Sequence, residues 1–174
     1  MVAHDPSALH DGQMRILAET SPETASLKKS SYDAVVLVGH DPINAKCKPL
    51  TRVLKSLAKA DDSASSALNM VAGEDLAGGR LIVSPTGPIS RDYDDARRYA
   101  EAASRGAKRA RDAGAKSLLL LLQPPPKSKH ATYAHATAIA ALGACGGLWP
   151  PLDARADLGA KSGEPGQTPG VCAL

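Results

Sequence analysis

The histidines are the first candidates for chemistry, because imidazole binds metals and transfers protons near neutral pH. His130 and His135 are five positions apart, so on a helix they point about 140° away from each other and cannot share a metal. We expect both to face solvent or cap a helix. His40 and Asp41 directly follow an apolar run that ends at Gly39, a position where open α/β sheets bind ligands. Turn formation explains Asp41 equally well, so both interpretations remain open.

Two pairs of adjacent carboxylates are candidates for acid and base chemistry. Asp61 and Asp62, and likewise Asp94 and Asp95, are sequence neighbours that point apart on a helix or a loop. General acid and base catalysis needs carboxylates that face a common substrate. We therefore expect both pairs to cap helices or to carry solvated charge.

No nucleophile or phosphate-binding loop has a local signature. The serines at 84, 104 and 117 lack a Gly-x-Ser-x-Gly setting, and the glycines in residues 73–79 match neither a P-loop nor a dinucleotide motif. The cysteines at 47, 145 and 172 are odd in number and widely spaced, which fits neither a disulfide framework nor a zinc site. The residues themselves therefore predict no catalytic, metal or cofactor site.

Charge and hydropathy exclude two classes of partner. Net charge is +3, from 21 Lys and Arg against 18 Asp and Glu, and the basic cluster of Arg105, Lys108, Arg109 and Arg111 has no interleaved aromatic. We expect no nucleic-acid partner. The longest leucine run has five residues, far short of the roughly 20 that a membrane helix needs, and no secretory signal precedes the first acidic residues. We expect a cytoplasmic protein with no membrane partner.

The best-defined elements form a strand, a helix and a second strand. Residues 80–84 and 118–122 are short apolar runs bounded by Gly, Pro or polar residues, which favours buried strands. The segment 90–113 between them predicts a helix capped by Ser90 and ended by Gly114. Its apolar positions recur at steps of three and four: Tyr93, Ala96, Ala100, Ala103, Ala107 and Ala110. This βαβ unit requires a sheet that is at least partly parallel.

The remaining segments extend the same alternation. Residues 32–39 predict a buried strand, 49–60 a helix, 67–72 a short piece that pairs with 80–84, and 130–144 a second alanine-rich helix. We predict an α/β fold with a mixed, partly parallel sheet flanked by helices over residues 31–144. Residues 1–30 form a poorly defined segment that contributes one strand or a helical turn near 14–17. Six Gly and four Pro among residues 145–174 predict a disordered tail.

This succession resembles a known family. The strand at 32–39, the segment Arg91-Asp92-Tyr93-Asp94-Asp95-Ala96-Arg97-Arg98 with its long helix, Gly114-Ala115-Lys116 before an apolar strand, and the helix at 134–143 are similar to the N-terminal domain of the leucine aminopeptidase (cytosol aminopeptidase) family. The resemblance covers roughly residues 30–144. It implies a macro-domain-like fold that is non-catalytic and helps to build a hexamer. In that family a C-terminal domain binds two divalent metals, such as Zn or Mn, and removes N-terminal residues from peptides.

The chain departs from the family after residue 144. The family's lysine, aspartate and glutamate metal ligands and its Asn-Thr-Asp-Ala-Glu-Gly-Arg motif have no counterpart, so we expect a truncated product that is inactive alone. The resemblance implies self-association, or association with full-length aminopeptidase subunits. An alternative is a macro-like module that binds a nucleotide such as ADP-ribose near residues 39–41 and 84–87, although glycine-rich phosphate loops are not evident there.

Overall fold

The computed structural model of the chain describes residues 14–19, 32–91, 94–126, 132–149 and 171–172. Within these residues the chain forms strands β1 (Met14–Glu19), β2 (Ala34–Gly39), β3 (Asn69–Ala72), β4 (Arg80–Pro85), β5 (Ser117–Leu122) and β6 (Val171–Cys172). The α-helices are α1 (Lys48–Ala60), α2 (Arg97–Asp112) and α3 (Ala136–Leu148). The predicted alternation of strands and helices between residues 34 and 122 is confirmed.

The strands form one mixed sheet in the order β3-β4-β2-β5-β1-β6. The edge strand β3 runs antiparallel to β4, which confirms the predicted strand pair, whereas the other pairings are parallel. The crossover from β4 through α2 to β5 passes over β2, which lies between the two strands. The fold is therefore α/β with a mixed sheet flanked by helices, as the sequence predicts.

Alternate side chains of the central strands enter two separate cores. Val35 of β2 and Leu119 of β5 belong to the core under α1, which we call the α1 layer. Val36 and Leu120 belong to the core under α2 and α3, which we call the α2/α3 layer. All four side chains are fully buried. A parallel strand that is covered on both faces reads as a continuous apolar run, which explains the five leucines of β5.

Leucines at helical spacing hold the α1 layer together. Pro49 lies in the first turn of α1, where its missing N–H costs no hydrogen bond. Leu50, Leu54 and Leu57 follow at i, i+4 and i+7, and all three are buried. The helix ends where Asp61 adopts an extended conformation. The predicted helix over residues 49–60 is confirmed with its start one residue earlier.

The α2/α3 layer contains small residues instead. Ala103, Ala107 and Ala110 of the predicted stripe are buried on α2. In α3, a Cβ added to Gly143 would lie 2.5 Å from the Cα of Ala100, and one added to Gly147 would lie 3.0 Å from the Cα of Ser104. Both pairs of contact positions are four residues apart in the same order, so the two helices run parallel. Their backbones approach so closely because neither contact point of α3 carries a side chain.

The ends of two helices differ from the prediction. Helix α2 begins at Arg97 rather than near Ser90, and the Asp95 carboxylate accepts a hydrogen bond from the Arg97 backbone N–H at 2.8 Å at this start. Gly114 ends it with φ +83°, as predicted. Helix α3 continues four residues past the predicted end at 144, because Ala144 and Leu148 are buried against the core.

Most of the predicted tail and of the N-terminal segment lies outside the described residues. In residues 145–174, the structure places the last turn of α3 and strand β6. In residues 1–30 it places β1, which selects the strand from the two alternatives for that segment. None of the helices in the described ranges combines the length and the apolar character needed to cross a bilayer.

Candidate functional site

The carboxyl ends of β2, β4 and β5 meet at one edge of the sheet. The chain leaves β2 toward α1 on one face, whereas it leaves β4 toward α2 on the other face. Adjacent parallel strands whose connections diverge in this way leave a crevice at their carboxyl ends, and open α/β sheets bind ligands there. Residues 39–41 and 84–87, which the sequence singles out, occupy this position.

Backbone hydrogen bonds join these segments directly. The Thr86 N–H donates to the Gly39 carbonyl at 2.8 Å, and the Gln123 N–H donates to the Val38 carbonyl at 2.8 Å. The buried Thr86 hydroxyl donates to the carbonyl of Gly87 at 2.9 Å. Gly87 has φ +74°, which favours glycine, and nothing lies within 4 Å of where its Cβ would be. The two predicted segments are therefore neighbours in space.

The side-chain amide of Gln123 closes the edge between β2 and β5. Its Oε1 accepts from the Asp41 backbone N–H at 3.0 Å, and its Nε2 donates to the Asp41 carbonyl at 2.8 Å. A Cβ on Gly39 would lie 2.5 Å from the Gln123 Cβ, so glycine is required for this contact. Sequence reasoning missed Gln123, because its partner is 82 positions away and the residue carries no motif.

His40 and Asp41 have different surroundings: Asp41 forms a turn, and the imidazole of His40 is enclosed. Both carboxylate oxygens of Asp41 accept from Asn44 Nδ2, at 3.1 and 2.9 Å, which supports the turn interpretation. His40 Nδ1 is enclosed and has no hydrogen-bond partner within the ranges that the structure describes. His135 precedes α3 without a side-chain capping bond, and His130 lies outside the described residues.

Asp94 contradicts the prediction of a solvated charge. Its side chain is fully buried, and its carboxylate is 3.1 Å from Arg91 Nη2 and 3.0 Å from Arg98 Nη2. The hydrogen bonds from Arg91 lower the pKa of Asp94 below its ordinary value, and the charges of Arg91 and Arg98 act in the same direction. Asp95 pairs with the exposed Arg97, so only this member of the pair fits the prediction. Asp61 accepts from the backbone and hydroxyl of Ser63 and so caps a short turn, as predicted.

Other candidates have structural roles. The buried Ser84 hydroxyl donates to the Ala102 carbonyl at 2.7 Å, and Arg105 donates to the Pro85 carbonyl at 2.8 Å. Residues 73–79 form the predicted turn, closed by a 2.9 Å bond from the Gly73 N–H to the Gly79 carbonyl. Burial raises the pKa of the free thiols of Cys47 and Cys145, which disfavours the reactive thiolate. Across the described ranges, no three His, Cys, Asp or Glu side chains lie together as a metal site would require.

The fold and this edge of the sheet together define an α/β domain with a mainly parallel sheet, in which hydrogen bonds within the chain connect the polar residues at the carboxyl ends of the strands.

Comparison with known proteins finds a similar protein whose name indicates a function. The chain is similar to a Caenorhabditis elegans protein named "Putative aminopeptidase W07G4.4", with 35% identity over 150 residues. The match includes 80% of this chain and 27% of that protein, so the chain spans about a quarter of its relative's length. This similarity supports a relation to aminopeptidases. No family model and no solved structure matches the chain.

Proposed function

We propose that the chain is a non-catalytic domain of an aminopeptidase-related protein, equivalent to the N-terminal domain of the leucine aminopeptidase family. One observation carries the proposal: the similarity takes in 80% of this chain but only 27% of its relative. The relative therefore has most of its length outside the shared part, and the proposal assigns peptide hydrolysis to that remainder. The internal hydrogen bonds of Gln123, Thr86 and Ser84 support a structural role for this edge of the sheet.

The proposed role is assembly in the cytoplasm. The domain associates with a second copy of itself or with full-length aminopeptidase subunits, and it holds no cofactor of its own. The two divalent metals belong to the catalytic part of the longer proteins. On this proposal the basic residues of α2 bind no nucleic acid, in agreement with the structural bond from Arg105 to the Pro85 carbonyl.

A domain replacement tests this equivalence. The segment of the Caenorhabditis elegans relative that matches this chain is exchanged for the chain itself, and a deletion of the same segment serves as the control. We expect the chimera to be expressed in folded form and to elute at the same assembly size as the unmodified relative, whereas the deletion aggregates. A chimera that aggregates like the deletion, while this chain alone gives a cooperative unfolding transition, would contradict the proposal.

A second candidate is a nucleotide-binding module, and the contact between residues 39–41 and 84–87 at the diverging strand ends favours it. The backbone N–H groups of Asp41 and Thr86, which a phosphate would need, already donate to Gln123 Oε1 and to the Gly39 carbonyl. Calorimetry with ADP-ribose at millimolar concentration tests this candidate. Heat that saturates supports it, and the absence of heat removes it.

A further inference from the structure

A pocket of about 330 Å³ opens at the carboxyl end of β5, on the side of the α2/α3 layer. It lies between residues 122–125, which leave the strand, and residues 133–137, which lead into α3. Tyr99 and Tyr133 line it together with Pro124 and Pro125, and Thr137 adds a hydroxyl. Gln123, whose side-chain amide bonds to Asp41 at the end of β2, is also part of the lining, whereas the two tyrosines and the two prolines take no part in the hydrogen bonds to Asp41. Among the residues that the structure describes, no charged side chain is part of the lining.

Tyr133 is the unusual member of this group. Its ring contacts Tyr99 edge to face, with 5.9 Å between the ring centroids, and the residue is only 2% exposed. The Tyr99 hydroxyl donates to the Gln123 carbonyl at 3.3 Å. The Tyr133 hydroxyl is enclosed and has no hydrogen-bond partner in the part of the chain that the structure describes. Buried hydroxyls almost always have a partner, so one that lacks it needs an explanation.

The surroundings keep this hydroxyl protonated. Burial raises the pKa of Tyr133, and the nearby carboxylates of Asp94 and Asp95 raise it further against the opposing charge of Arg98. Burial likewise raises the pKa of Tyr99 to about 12. Tyr133 therefore offers an O–H donor at neutral pH. A ligand that supplies only an acceptor oxygen would complete its hydrogen bonding.

We propose that this pocket binds an uncharged small molecule with a single aromatic ring and a carbonyl oxygen, which accepts a hydrogen bond from the Tyr133 hydroxyl. The proline and tyrosine rings pack against the aromatic body, and the described lining residues, which carry no charge, disfavour ions. The volume is near the lower limit of small-molecule sites, which suits one ring with a short substituent. Because the hydroxyl is enclosed, this binding requires the ligand to displace the Tyr133 ring. This inference does not depend on the proposed domain role.

The test is a titration of the full chain followed by amide chemical shifts, with acetophenone as the probe. Ethylbenzene has the same ring and nearly the same shape without the carbonyl, and benzoate carries a negative charge. We expect saturable shifts at the backbone of residues 122–123 and 134–137, with acetophenone binding about tenfold more tightly than ethylbenzene and more tightly than benzoate. No shift at these residues up to the solubility limit of acetophenone, or equal affinity for the three probes, would overturn the proposal.

Tyr133→Phe removes the hydroxyl and keeps the ring, so it tests the contribution of the hydroxyl alone. Tyr32→Phe, on the opposite side of the sheet, is the matched control. We expect Tyr133→Phe to raise the melting temperature of the unliganded chain, because it removes a buried donor that has no partner. It should also reduce the preference for acetophenone over ethylbenzene to within twofold, whereas Tyr32→Phe leaves that preference unchanged. A lower melting temperature in Tyr133→Phe would mean that the chain satisfies the hydroxyl itself, and a preserved preference would exclude it as the ligand's donor. Either result overturns the proposal.

Discussion

The α1 layer and the α2/α3 layer are built on opposite principles. In the first, three leucines of α1 fill the space above the sheet, and the volume of those side chains holds the helix in place. In the second, alanines and glycines let α2 and α3 approach until their backbones touch. One sheet is therefore stabilised by large side chains on one face and by close helix–helix packing on the other. Truncation of a side chain should destabilise the α1 layer, and enlargement of a side chain should destabilise the α2/α3 layer.

The largest effect is expected from Leu54→Ala in the α1 layer. Leu54 is 1% exposed, and its truncation leaves a cavity beneath α1 as well as losing burial. We expect a loss of about 3 kcal/mol in the free energy of unfolding, measured by urea denaturation. Leu142→Ala is the control, because Leu142 of α3 is 65% exposed, and its loss should stay below about 1 kcal/mol. Equal losses in the two variants would refute the role of side-chain volume under α1.

Gly143→Ala should have the next largest effect, and it enlarges a side chain where Leu54→Ala truncates one. The added methyl would meet backbone atoms of Ala100, which cannot rotate away, so the two helices must separate. We expect a loss of about 2 kcal/mol in the free energy of unfolding. The matched control is Gly146→Ala on the same helix, where the methyl meets nothing within 4 Å. There the higher helix propensity of alanine should stabilise the chain by up to about 1 kcal/mol.

Ser84→Ala tests whether a hydrogen bond beneath α2 adds to the packing of the α2/α3 layer. The Ser84 hydroxyl donates to the Ala102 carbonyl inside the α2/α3 layer, where no water can replace it. We expect a loss of about 1 kcal/mol in chemical denaturation. Ser56→Ala on the exposed side of α1 should change the stability by less than about 0.5 kcal/mol. A neutral Ser84→Ala would mean that packing alone holds α2 on the sheet.

The smallest effect concerns pH, because Arg91 and Arg98 are 41% and 31% exposed and solvent screens their attraction for Asp94. The folded-state pKa of Asp94 is lowered, so its contribution is present above the unfolded pKa of about 3.9 and is lost as the pH falls through the folded value. We expect the urea concentration at the unfolding midpoint to decrease as the pH is lowered below about 4, and to decrease less steeply in Asp94→Asn. Identical pH profiles would show that Asp94 is not the group responsible.

The sequence predicts the bounds of α1 more closely than those of α2 and α3, for a physical reason. The leucine spacing of α1 and the apolar runs of β2, β4 and β5 are local signals, and the structure confirms each element. Gly143 lies inside the predicted helix, whereas Gly147 belongs to the Gly- and Pro-rich residues 145–174, whose composition predicted a tail, so the predicted helix stopped at residue 144. In the structure both glycines are helical and lie against α2. Their spacing of four places both glycines on one face of α3, but no local signal tells which helix that face contacts.

The candidate edge was only partly predictable. Residues 39–41 and 84–87 follow apolar strands, so their arrival at one end of a parallel sheet could be inferred. The amide bridge from Gln123 to Asp41 could not be inferred, because it joins positions 82 apart and depends on the strand order. The burial of Asp94 was missed for a related reason. Its arginine partners lie close in sequence, but its enclosure depends on the packing of the whole domain.

The central claim, that this domain of an aminopeptidase-related protein does no peptide chemistry itself, is tested most directly by an activity assay. The purified chain is incubated with leucinamide and either Mn²⁺ or Zn²⁺, beside an active leucine aminopeptidase at the same molar concentration. We predict that this chain releases no leucine above the metal-only blank, while the active enzyme does. Release of leucine that rises in proportion to the concentration of this chain, and stops when a chelator is added, would contradict the account.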